Sequence, residues 1–374
     1  MGRTSMLTVA LDTGPLYGSV TGVGRSVIEV LAEFEHRSAE VSVIPYVLSF
    51  RAPVAAGTRR LTFPAALALR SWSRCDFPRV DRAFAGADLV HGTNFTAPPS
   101  RLPRLVTVHD CWALRHPKQC TPAVDLSMKV LRRAVETGAH VHAPSRATAE
   151  GVREFFPRAP VTVVPWATPR PDISEPVRPR GASWADGTPV IASVGTIDHR
   201  KNPVRLVEAF AAIAGDFPDL LLVLAGAPGT ASADVERAVS LLPAERRARI
   251  IMPGGLTPAE ISWLYRASAM VAYPSLDEGF GFPVLEAMAA GVPVVASSSG
   301  SLPEVAGDAA ILVDPADVAA LSAALHLVLD DEATRSKLVD SGRRRVDQFS
   351  WSSTADGLLD LYRSVAATAT KPVR

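Results

Sequence analysis

Short apolar runs alternate with stretches of helical period along this chain, in two series separated by a region with neither pattern. In the first series, runs at 7–12, 41–48, 87–94, 105–110, 140–145 and 161–165 read as strands, several of them ending in polar residues. Residues 26–35 follow the first run with Val27, Val30, Leu31 and Phe34 on one helical face. Ser145 ends the fifth run and is placed to cap a helix starting at 146. The second series has strand-like runs at 190–195, 220–226, 249–253, 269–274 and 292–296, with helices expected at 204–214 and 284–290. The run at 220–226 is apolar throughout, as a strand covered on both faces of a parallel sheet must be. Thr257-Pro258-Ala259-Glu260 forms a capping box with proline at the first helical position. Helical patterns at 318–329, 332–349 and 352–367 close the chain, with a break at Phe349-Ser350-Trp351. Strands alternating with helices imply an α/β protein with parallel sheets.

Between the two series, residues 165–189 hold six prolines and no periodicity, which reads as an interdomain linker. The expected organisation is a first domain at 1–168, a linker at 169–188, a second domain at 189–350 and a last helix at 351–374. A chain of 374 residues fits two domains and leaves a third open. Apolar residues at 47% supply ample core, and a net charge of +1 implies no strong field for nucleic acid or acidic lipid. Cys75, Cys111 and Cys120 show no metal spacing and, sparse and odd in number, read as reduced thiols of a cytoplasmic protein. Residues 1–10 carry a short apolar run followed by Asp12, a first strand rather than a signal peptide. No apolar stretch approaches the ~20 residues that span a bilayer. Residues 51–74 set arginines 59, 60, 70 and 74 around Leu61, Phe63, Leu67, Leu69 and Trp72. A core-facing helix with solvated arginines is the favoured reading, and peripheral docking on an anionic membrane the alternative.

Residues 275–296 carry the chemistry. They follow a strand and run through Glu278-Gly279-Phe280-Gly281-Phe282-Pro283 into a helix that ends at Gly291. Gly279 and Gly281 allow close backbone approach to a ligand, and the free N–H groups of a helix start favour a phosphate. Glu278 precedes this cradle. Glu286 lies one turn into the helix, its side chain leaning back toward the start. Carboxylates accept paired hydrogen bonds from a vicinal diol, so phosphate on backbone and sugar on carboxylates suits a nucleotide sugar. The plainer alternative is a loop-capping Glu278 and a solvated Glu286.

Glu278-x7-Glu286 resembles the Glu-x7-Glu signature of retaining GT-B glycosyltransferases, the large family 4, group 1, which includes sucrose synthase-like and bacterial mannosyl- and glucosyltransferases. The likeness continues through residues 301–315, is dense over 189–315 and thinner before. It implies an α/β GT-B fold, two Rossmann-like doubly wound domains facing across a cleft, with the last helix crossing back to the first domain and Trp351 as its anchor. It implies that Arg200 and Lys201, in Gly195-Thr196-x4-Lys201-Asn202, neutralise the donor diphosphate, and that Gly254, Gly255 and Leu256 line the base pocket through backbone atoms. Gly22, Val23 and Gly24 would face the donor diphosphate and the acceptor; a flexible surface turn is the alternative. His109, in His109-Asp110, would touch the transferred sugar or the acceptor, with a loop histidine as the alternative, and Asn94 and Asp110 would lie on the acceptor side. His91, His116, His140 and His142 read as structural. The family chemistry is same-face transfer with retention, assigned to Glu278, Arg200, Lys201 and His109, with Gly279, Phe280, Gly281, Phe282 and Glu286 holding the donor. No cofactor and no metal are expected, since the chain has no Asp-x-Asp. Residues 90–99 with Val108-His109-Asp110 resemble bacterial mannosyltransferases of polysaccharide synthesis. GDP-mannose is therefore the favoured donor, with UDP-glucose, another UDP-sugar or a dTDP-sugar open. The acceptor is an oligosaccharide or glycolipid. A non-catalytic nucleotide-sugar binding protein is the alternative from another class.

Overall fold

The computed structural model describes residues 6–18, 21–168 and 175–368. The chain divides into two compact units, Met1–Pro169 together with Phe349–Arg374, and Arg170–Gln348. The first unit is built on seven strands: β1 (Leu7–Asp12), β2 (Val41–Val47), β3 (Arg59–Arg60), β4 (Leu89–Gly92), β5 (Arg104–Thr107), β6 (His140–Ala143) and β7 (Val161–Val163). They pair in the order β3-β2-β1-β4-β5-β6-β7, all parallel. The central strands β4 and β5 are buried at every position, and their polar side chains His91, Arg104 and Thr107 are hydrogen-bonded there. The strand order reverses between β1 and β4, so the segments leaving those strands share one crevice at the carboxyl edge.

The hydrophobic pattern places the first helix at Ser26, after a glycine-bearing loop. The helix instead begins at Gly22 and runs to His36, with extended Thr21 before it. Gly22, Val23 and Gly24 are thus its first turn rather than a loop. Glycine's low helix propensity masks this start in the sequence; Gly24 is buried in the first turn. Helix Pro122–Glu136 has no counterpart in the sequence reading, because its charged face breaks the apolar run. Thr121, whose side chain accepts from Val124 N, and Pro122 at the first turn are the signal that marks it. In the region 51–74 a helix spans Ala65–Trp72, burying Ala68 and Trp72, and Arg59, Arg60, Arg70 and Arg74 face solvent.

Helix Trp351–Thr368 completes the first unit. Trp351 Nε1 donates to Thr168 O (2.9 Å) and Thr354 Oγ1 to Pro165 O (2.7 Å), and Tyr362 meets Phe34 edge-on at 5.9 Å. A Cβ at Gly357 would sit 2.9 Å from Val164, so the glycine sets how closely this helix approaches. A buried polar chain fixes it further: Tyr362 OH to His91 Nδ1 (2.8 Å), His91 Nε2 to Thr107 Oγ1 (2.8 Å), Thr107 Oγ1 to His142 Nδ1 (3.0 Å), and His142 Nε2 to Val164 O (2.9 Å). The carbonyl at the end can only accept, so His142 carries its proton on Nε2. Every donor upstream then points the same way, with both imidazoles neutral. Burial lowers both histidines, His142 to about 4.

A base whose pKa falls on folding stabilises the fold fully above its unfolded value of 6.5 and progressively less as pH drops toward 4. The first unit is therefore expected to lose on the order of 3 kcal/mol from His142 over that window. Urea midpoints measured from pH 7.5 to 4.5 should fall, and His142→Gln should flatten the dependence. An equal slope in the variant would remove the assignment.

The second unit holds β8 (Val190–Val194), β9 (Leu221–Ala225), β10 (Ile250–Gly254), β11 (Met270–Tyr273), β12 (Val294–Ser297) and β13 (Ile311–Val313). They pair in the order β10-β9-β8-β11-β12-β13, again all parallel. Leu206, Phe210, Leu222, Leu224, Met270, Val295 and Leu325 lie in one buried core on this sheet. The order reverses between β8 and β11. The loop after β8 carries Arg200 and Lys201 and the loop after β11 carries Glu278, so sheet topology alone brings these segments to one crevice.

Candidate active site

The two loops are locked together by one asparagine. After β8, a 3-10 turn at His199–Lys201 ends at Asn202, which is left-handed (φ 58°) and then caps helix Pro203–Ile213. Asparagine tolerates that conformation better than most residues. Its buried side chain donates from Nδ2 to Pro274 O (3.0 Å) and Pro315 O (2.8 Å), joining the segments that follow β8, β11 and β13. Leu276 N adds a bond to Arg200 O at 2.7 Å.

Arg200 and Lys201 converge on Glu278 as a result. Arg200 Nη1 lies 2.9 Å from Glu278 Oε2 and also donates to Asp277 O at 3.0 Å. Lys201 Nζ lies 2.5 Å from Glu278 Oε1, donates to Tyr273 OH, and sits 4.6 Å from the centre of the Tyr273 ring. Each carboxylate oxygen thus holds one cation. Glu278 is only 6% exposed, and burial alone would raise its carboxyl. Arg200 and Lys201 outweigh burial and hold it down at about 2. Burial and the nearby Glu278 charge push the Tyr273 hydroxyl well above its ordinary value, so it stays protonated. The cluster carries two positive charges against one negative in a half-dry crevice, and the excess charge is suited to an incoming anion.

The backbone beside it is shaped for close approach. Gly281 (φ 101°) is the N-cap of helix Phe282–Ala289 and places Pro283 in its first turn. A side chain there would be strained and would meet Leu302 at 2.7 Å. Gly300 (φ 59°) lets the segment after β12 press on Glu278, whose N and O lie 2.6 Å from where a Cβ would be; Ser301 N donates to Glu278 O at 2.9 Å. Phe280 and Phe282 pack edge to face at 5.4 Å. Gly279 lies between Glu278 and this pair.

Glu286 borders the ion cluster from the helix. Its Oε2 accepts from Tyr265 OH at 2.9 Å, a partner the sequence did not suggest, and its charge reaches Tyr273. Gly195 (φ 145°) and Thr196 open the loop after β8; Gly254 ends β10, followed by Gly255 and Leu256, at the same carboxyl edge two strands from β8. Tyr265 and Tyr273 are the residues of this site that sequence patterns missed, and Asn202 stood in the Gly195-Thr196-x4-Lys201-Asn202 motif without a role of its own. Asn202 had a visible signal, its place directly after Lys201 and before a helix-starting proline.

The first unit gathers another set. His109 Nε2 donates to Thr93 O (2.8 Å), so its Nδ1 is the acceptor, and burial keeps the ring neutral by lowering its pKa. Its ring stacks on Trp166 with centroids 6.1 Å apart. Thr93 Oγ1 donates to Asp12 O at 2.9 Å, which ties the ends of β1 and β4 together. Asn94 is exposed on the tight turn that follows. Asp110 accepts from Trp112 N at 3.0 Å, so part of its carboxylate caps the helix at Trp112–Arg115. Asp12, not singled out by the sequence, is half-buried at the end of β1. Burial raises it to about 7, against the lowering effect of the bond from Gly14 N.

Residues 178–345 match the family model described as Glycosyl transferases group 1, and residues 20–168 match the model described as Glycosyltransferase Family 4. Among curated proteins, the chain is 36% identical over 187 residues to the D-inositol 3-phosphate glycosyltransferase of Corynebacterium glutamicum, covering 48% of this chain and 44% of that one. It is 29% identical over 174 residues to the O-antigen chain mannosyltransferase B of Escherichia coli, covering 46% and 44%. The chain thus spans less than half the length of these relatives. Among solved structures, it resembles sucrose-phosphate synthase from Thermosynechococcus elongatus with a TM-score of 0.74 at 22% identity, covering 97% and 100% of the two chains. It also resembles Anabaena Alr3699/HepE in complex with UDP and glucose, with a TM-score of 0.71 at 16% identity over 96% and 100%. The fold is GT-B, built from two Rossmann-like parallel-sheet domains.

Proposed function

We propose that this chain is a retaining glycosyltransferase that moves a hexose, mannose from GDP-mannose in the favoured case, onto a hydroxyl of a saccharide or glycolipid. The observation that carries the reading is the Arg200–Glu278–Lys201 cluster, with Glu278 buried between two part-exposed cations, beside the amino end of helix Phe282–Ala289. A pyrophosphate is an anion with several acceptor oxygens, and the two cations with the helix N–H groups suit it. As the glycosidic C–O bond breaks, negative charge grows on the leaving phosphate, and groups fixed in advance stabilise that charge most. The leaving phosphate takes the acceptor proton on the same face. Neutral His109 offers Nδ1 to a sugar hydroxyl, and Glu286, oriented by Tyr265, suits a diol of the donor. Among the described residues, no three His, Cys, Asp or Glu side chains gather to hold a metal. Among the described residues, no helix is long and apolar enough to cross a membrane.

A thermal-shift panel of GDP-, UDP-, ADP- and dTDP-sugars followed by product analysis tests the reading. GDP-mannose should give the largest shift, and the product should keep the anomeric configuration of the donor. Binding without transfer or hydrolysis would leave the non-catalytic alternative. The second reading is a UDP-sugar donor with an inositol phosphate acceptor, favoured by the name of the C. glutamicum relative and by the UDP and glucose bound to HepE. Glu286→Ala is expected to raise the donor dissociation constant about tenfold or more, the worth of one hydrogen bond to a charged group. Isothermal titration with the responding donor checks it, and unchanged affinity would remove Glu286 from the donor site.

A further inference from the structure

The second unit carries a pocket of about 300 Å³ that the reading above does not use, lined by Trp184, Asp186, Thr188, Trp263 and Arg266 among others. That volume lies at the small end for ligand sites. Residues 184–188 lead into β8, and helix Pro258–Ala267 leads into β11. The pocket therefore sits at the amino edge of the sheet, on neighbouring strands. The ion cluster follows the carboxyl ends of the same strands. A five-residue strand separates the two by about 16 Å, so one ligand of hexose size cannot touch both.

Both indoles are half-exposed, with ring centroids 6.0 Å apart and planes inclined at 52°. Rings so inclined cannot sandwich a flat aromatic base, which needs parallel faces. They suit a saturated ring whose C–H bonds rest on an indole face. Arg178 lies 5.1 Å from the Trp263 ring centre and pairs with Asp186 at 3.1 Å, which fixes the wall of the pocket. Asp186 and Arg266 are exposed at its rim, a carboxylate that accepts from hydroxyls and a guanidinium that donates to them. Apolar faces below and polar groups around the edge match the two surfaces of a pyranose.

We propose that this pocket is a second saccharide-binding site, distinct from the reacting centre, which holds a pyranose unit of an oligosaccharide. It rests on the reading that the chain handles saccharides, but it is tested without turnover. The probe is an α-linked mannotetraose, titrated without any nucleotide and followed by tryptophan fluorescence and ligand-observed NMR. The intact chain should bind it. Trp184→Phe should weaken binding, and Trp184→Ala or Arg266→Ala should weaken it about tenfold, the value of one aromatic contact or one rim hydrogen bond. Adding pyrophosphate should leave it unchanged, since the ion cluster lies at the other edge. Arg266 is exposed, so its variant folds as the parent does. No binding by the intact chain, binding by Trp184→Ala and Arg266→Ala equal to the parent's, or loss of binding on adding pyrophosphate would each overturn the second site. A failure of the transferase reading shows instead as no turnover of any nucleotide sugar, whatever this titration gives.

Discussion

Lys201→Ala is expected to cut turnover by about two to three orders of magnitude, with a much smaller change in donor affinity. Lys201 Nζ is held between Glu278 and Tyr273, so its position is set before any donor arrives. A charge fixed in that way acts most on the state with the most developed negative charge, which here is the transition state rather than the bound donor. Single-turnover rates at saturating donor separate the two effects. A rise in KM with kcat intact would mean that Lys201 only binds. Lys201→Arg should recover part of the rate if charge is what matters, though the planar guanidinium fits the narrow place less well.

Glu278→Gln should destabilise the second unit by about 3 kcal/mol, because it leaves two part-buried cations facing each other without their carboxylate. The pKa of Glu278 leads to the same figure. A carboxyl lowered from 4.5 to about 2 on folding adds on the order of 3 kcal/mol above pH 4.5, and that contribution is lost as pH falls toward 2. The variant should recover stability in pyrophosphate or GDP by more than the parent does, since an anion then replaces the missing carboxylate. Chemical denaturation with and without 5′-diphosphate measures both effects. Equal stability of variant and parent, or equal rescue, would show that the ion cluster does not await an anion.

The predictions differ in how far the sequence alone could have led to them. The Glu278-x7-Glu286 spacing, the glycines of its loop and Lys201 ahead of a helix-starting proline were legible, because each depends on local backbone rules. What Glu278 does was not. Its sequence neighbours are Asp277 and Gly279, while its partners lie 77 and 78 residues earlier. The start of the first helix at Gly22 was also hidden, since propensity argues against glycine in a helix. The polar chain through His91 and His142 could be called structural from the strand pattern, but its link to Tyr362 joins His91 to a residue 271 positions further on.

By itself the sequence determined the alternation of strands and helices, the division into two α/β units and the residue types around a phosphate-sized cradle. These follow from periodicity, capping and glycine, which act over a few residues. Only the tertiary structure decided which of those residues touch. The reversal of strand order between β8 and β11 brings Arg200, Lys201 and Glu278 into one ion cluster, while Asn202 joins the surrounding loops and Tyr265 takes Glu286. Such contacts depend on the order in which strands pair, which short-range rules do not encode.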